Sequence, residues 1–86
     1  MNETVGEKIS VVSVYNAQEG SIMPRKIKWH GREYSINKLG YHHSVREGRT
    51  LLHIFHVTDG TTAFRLSLNT ETLHWTLEEV YDQSTS

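Results

Sequence analysis

The residues Thr50 to Leu68, TLLHIFHVTDGTTAFRLSL, constrain this chain more than any other stretch. Two runs rich in β-branched, aromatic and aliphatic residues flank Asp59-Gly60, a dipeptide that accepts the positive φ angles of a tight primed turn, so the stretch reads as a β-hairpin. With Thr58 and Thr61 flanking the turn, Val57 faces Thr62, Phe55 faces Phe64 and His53 faces Leu66. Side chains alternate across a strand, so Leu51, His53, Phe55, Val57, Phe64, Leu66 and Leu68 share one apolar surface. The other surface carries Leu52, Ile54, His56, Ala63, Arg65 and Ser67 and is mixed enough to face solvent or be partly covered.

The flanking sequence extends this pattern. Ile9 to Tyr15, ISVVSVY, is β-branched and reads as a strand, and Asn16 to Pro24 reads as a loop carrying Ile22 and Met23. A second hairpin turns at Gly31-Arg32 between arms Arg25–His30 and Glu33–Lys38, with Trp29 opposite Tyr34 and Ile27 opposite Ile36. Lys26, Lys28, His30, Ser35 and Asn37 then point the other way, separating basic from aromatic side chains. After Lys38 the inward parity changes to Leu39, Tyr41, His43 and Val45, which implies a bulge or bend near Gly40. Arg46-Glu47-Gly48-Arg49 turns the chain, with Gly48 at positive φ. The connection Asn69–Thr72 places Leu68 opposite Leu73, Leu66 opposite Trp75 and Phe64 opposite Leu77. A helix over Leu73, Leu77, Val80 and Tyr81 is the competing reading, with strand preferred.

The fold these elements imply is all-β, an antiparallel meander of five or six strands curled into a small barrel or strongly bent sheet. Its inward set is Ile27, Trp29, Tyr34, Ile36, Leu39, Tyr41, Val45, Leu51, Phe55, Val57, Phe64, Leu66, Leu68, Leu73, Trp75 and Leu77. The 86 residues suffice for one domain with one core over about residues 9–82, with Met1–Lys8 and Gln83–Ser86 expected to fray. Glu78-Glu79 is expected to guard an edge strand against stray pairing.

Composition narrows function by exclusion. With no cysteine there is neither a disulfide framework nor a thiolate metal site. There is no apolar run of membrane-spanning length and no charged-then-apolar leader, so the expected location is cytoplasmic and no membrane partner is expected. Nine basic residues face ten acidic ones, but unevenly. Arg25, Lys26, Lys28 and Arg32 share a segment without acids, and no Lys or Arg follows Arg65 in the stretch holding Glu71, Glu78, Glu79 and Asp82. These two segments are expected to lie together, within the fold or across a dimer.

Six histidines raise the question of a metal or acid–base site. Adjacent His42 and His43 diverge, as do His53 and His56, and His30, His56 and His74 face outward from separate strands. Only His43 and His53 are expected to converge, inward beside Tyr41, as cavity-lining residues or a ligand site. A zinc or iron site would want a third ligand, so no metal and no cofactor is assigned. If the pair is buried, mild acid should loosen the fold. There is no phosphate-binding glycine loop, HExxH, cysteine nucleophile or nucleophile elbow.

Trp29–Ile36, WHGREYSI, with the closing Trp75–Asp82, WTLEEVYD, resembles small bacterial proteins built around a Trp-x-Gly-Arg-x-Tyr hairpin. The resemblance covers residues 25–82 and implies an all-β fold and a bacterial-type cytosolic protein; it brings no activity and no functional residue. The function expected from the residues is a non-enzymatic binding or protein-interaction module with an unknown protein partner or a homodimer. Its surface is Lys26, Lys28, His30 and Arg32 with Ile22 and Met23. Nucleic-acid binding through that basic face is the first alternative, and a metal or small-ligand site at Tyr41, His43 and His53 is the second.

Overall fold

The computed structural model describes residues 2–82, so the expectation for Gln83–Ser86 lies outside the described residues. Seven strands, β1 (Asn2–Asn16), β2 (Ser21–Trp29), β3 (Arg32–Ser35), β4 (Lys38–Glu47), β5 (Thr50–Thr58), β6 (Thr62–Asn69) and β7 (Trp75–Asp82), form one antiparallel sheet. Their order is β3-β2-β1-β7-β6-β5-β4. The meander is as the alternation implies, and the C-terminal segment is a strand. Among the described residues no helix is long and apolar enough to cross a membrane.

The strand count and the barrel need correction. β1 begins at Asn2, seven residues before the β-branched run, because Asn2–Ile9 pairs with β7. β2 begins at Ser21, since a tight turn over residues 17–20 replaces the expected loop; Asn16 Oδ1 accepts the amides of Gln18 and Glu19, and Gly20 sits at φ +65°. The arm Glu33–Lys38 is broken at Ile36-Asn37, where the chain passes from one edge of the sheet to the other. The Ile36 amide donates to Arg25 O at 2.8 Å and that of Asn37 to Thr58 O at 3.0 Å. Because every pairing is antiparallel, β3 and β4 run in the same direction, and among the described residues no ladder joins them. The sheet is therefore strongly bent but open.

Inside the bend lie Ile27, Ile36, Phe55, Val57, Phe64, Leu66, Leu68 and Leu77, ringed by half-buried Val5, Ile9, Val11, Ile22, Trp29, Tyr34, Leu39, Trp75 and Val80. The Tyr34 ring meets Phe64 edge-on at 5.1 Å, and Phe55 lies 5.4 Å from Trp75. Each such buried side chain contributes on the order of 2 kcal/mol from the area removed from water.

Within hairpins the alternation holds while the pairing moves. Phe55 pairs with Leu66 and Val57 with Phe64, two residues from the expected register and thus on the same face. The β2–β3 turn is His30-Gly31, not Gly31-Arg32; Trp29 pairs with Arg32 and Ile27 with Tyr34. His30 and Gly31 both take positive φ, +54° and +73°, as a type I′ turn requires. Leu68 pairs with Trp75 and Leu66 with Leu77, which leaves Leu73 in the connection, 70% exposed at φ +64°.

Tyr41 and Val45 also leave the inward set. Leu39 pairs with Val57 but Tyr41 with His56, so Gly40 is an extra residue and the inward parity returns to even numbers at His42. Tyr41 is accordingly 60% exposed. β7 lies mid-sheet between β1 and β6, so Glu78-Glu79 guards no edge; the edges are β3 and β4.

Candidate functional site

The surface expected around the basic hairpin is divided by the sheet. Lys26 and Lys28 lie on its outer side, opposite Val12 and Ser10 of β1, and Met23 lies opposite Val14. Ile22 turns to the core instead. Arg32 sits over the Tyr34 ring, 5.2 Å from its centroid. His30 stacks on Trp29 at 4.2 Å and stands 3.4 Å from Glu7 Oε2, which also accepts the Trp29 indole N–H. Lys26 Nζ is 3.6 Å from Glu33, which pairs directly across from Lys28.

Ile9 to Tyr15 is the strand its residues imply, but its place beside Lys26 and Met23, with valines on the outer side, was not expected. Val12 and Val14 are 58% and 48% exposed on the outer side, next to Lys26 and Met23. The signal was available: ISVVSVY is apolar at both parities, whereas a strand covered on one face needs apolar residues at only one. The result is an apolar stripe with an ammonium row beside it, over a shallow cleft of about 130 Å³.

The basic and acidic segments do not meet, because β1 separates β2 from β7. The acids of β7 find other partners. Arg65 Nη1 lies 3.8 Å from Glu79, the Tyr81 hydroxyl donates to Glu79, and Ser67 Oγ donates to Glu78 at 2.7 Å. The Glu79 carboxylate raises the Tyr81 phenol above its ordinary value, with burial adding to it. This packing on the outer side buries Ile54 to 3% exposure and leaves Arg65 Nε without a hydrogen-bond partner among the described residues.

The histidine pair is His42 with His53, not His43 with His53. His42 Nε2 is 3.3 Å from His53 Nδ1, and the His42 ring stacks on Phe55 at 4.4 Å and 3°. The bulge at Gly40 is the cause, since it rotates His42 inward and sends His43 out with Tyr41. There Tyr41, His43 and His56 form a second ring cluster, with centroids 5.0 to 5.9 Å apart. Burial lowers the pKa of His42, helped by the proximity of His53 and His43. Burial likewise lowers that of His56, with Arg65 and His43 adding to it and Glu79 opposing. Among the described residues no three His, Cys, Asp or Glu side chains are placed to hold a metal ion. The two histidine groups are thus ring stacks on opposite sides of one hairpin.

No protein-family model matches this chain, and neither a curated protein nor a solved structure matches it.

Proposed function

We propose that this chain is a protein-binding module that holds an acidic, partly apolar segment of a partner against the outer side of β1 and β2. The observation that carries this reading is the exposure of Val12 and Val14 beside Lys26 and Lys28. Solvent-facing valines in a row are an apolar patch awaiting cover, and the ammonium groups along its border select an acidic partner. Glu33 stands between Lys26 and Lys28, which disfavours a polyanion such as nucleic acid and suits a partner with spaced carboxylates. Elsewhere His42 and His53 lie against Phe55, His43 and His56 against Tyr41, and Glu78 and Glu79 are engaged by Ser67, Arg65 and Tyr81.

Fluorescence anisotropy with labelled peptides alternating valine and glutamate tests this, with valine–lysine peptides and a thymidine oligonucleotide as controls. The expected result is binding of the acidic peptides alone, lost in Val12→Ser/Val14→Ser and weakened in Lys26→Glu/Lys28→Glu. Binding of the oligonucleotide with a steep salt dependence, or of no probe, refutes the reading.

A further inference from the structure

The opening between β2 and β4 has the form of a slit closed at one end. Its closed end is Ile36-Asn37, tied by backbone hydrogen bonds to Arg25 and Thr58. From there β2 runs back from Arg25 to Ser21 on one side, and β4 runs forward from Lys38 on the other. β3 pairs with β2 only over Lys26–Trp29, so among the described residues the facing edge of Ser21–Pro24 has no ladder, and neither has the outer edge of β4. Between them is a hollow of about 200 Å³ whose walls include Ile22, Met23, Arg25, Leu39 and His42.

We infer that this slit is a second binding site, which takes the free C-terminal segment of a partner chain as an added strand antiparallel to β4. Unpaired backbone N–H and C=O groups along a strand edge are matched by another extended chain. Ile22 and Leu39 receive every second side chain, which must therefore be apolar. An added strand antiparallel to β4 runs toward Ile36-Asn37 and can go no farther, so a chain end fits there and a continuing chain does not. Arg25 stands at that end, exposed and without an ion-pair partner among the described residues, so the end it receives is a carboxylate. The slit meets the docking surface proposed above only at Val14 and Met23 and uses neither Lys26 nor Lys28, so either site can fail without the other.

The test uses the full chain and N-terminally labelled short peptides alternating valine or isoleucine with threonine, each made with a free C-terminal carboxylate and as the C-terminal amide. The free acids should bind, and amidation or Arg25→Glu should weaken binding about tenfold or more. Arg25 is exposed, so the variant keeps its fold. Amide hydrogen exchange should slow along β4 only when the acid is bound, and Lys28→Glu should leave binding unchanged. Equal binding of acid and amide, no binding of the acid, or protection of β4 by a second copy of the chain without peptide overturns the proposal.

Discussion

Replacing Leu73 by glycine should stabilise this protein, although leucine is the larger apolar side chain. Leu73 closes the β6–β7 connection, where its amide donates to Asn69 O at 2.7 Å while Asn69 Oδ1 accepts the amides of Glu71 and Thr72. That geometry requires the left-handed backbone, and the side chain is 70% exposed, so it contributes little burial. An L-residue held there costs roughly 1–2 kcal/mol, and glycine gives back about 0.5–1 kcal/mol through its greater freedom in the unfolded chain. The net expectation is a gain centred at about 0.75 kcal/mol and of at most about 1.5 kcal/mol, the central value being about 3–6 °C in Tm for a domain of this size. Urea unfolding followed by tryptophan fluorescence measures it, with Leu66→Ala as the buried counterpart, expected to lose about 2–5 kcal/mol. A loss of roughly 3 kcal/mol or more in Leu73→Gly would mean that Leu73 faces Leu68 in the core, and the β6–β7 register described above would be wrong.

Stability should fall as pH drops from about 7.5 to about 5. His42 and His56 have folded pKa values below the ordinary 6.5, so the unfolded chain takes protons first; stability is full above that value and is lost as pH falls through it. His42→Phe should flatten the dependence of the urea midpoint on pH, and an unchanged slope would refute the assignment. Asp59 accepts the amides of Thr61 and Thr62 and the Thr61 hydroxyl; partial burial pushes its carboxyl up, but these bonds outweigh it and hold the pKa below the ordinary value. Asp59→Ala should therefore cost about 1 kcal/mol near neutral pH, and the difference from the parent should shrink in acid as that carboxylate is protonated.

Much of the fold was legible because a strand's alternation is local. Phe55, Val57, Phe64 and Leu66 lie on one face whatever their register, since moving a hairpin by two residues changes partners and not sides. The site was legible only in part. Lys26, Lys28 and Met23 share the outer side, while Ile22 and Arg32 do not, because the extra residue Arg25 in β2 and the turn at His30-Gly31 reassign them.

By itself, then, the order of residues determined that this chain makes antiparallel hairpins, where most of them turn and which side chains within each are apolar. Tertiary structure alone decided that β1 pairs with β7, that the sheet stays open between its β3 and β4 edges, and that His42 rather than His43 meets His53. The physical reason is the single inserted residue. The bend near Gly40 was legible, and the register of β4 against β5 slips there, but the sequence did not show which face each side chain takes beyond it: one extra residue turns them all over, and only the pairing with β5 brings His42 in and sends Tyr41, His43 and Val45 out.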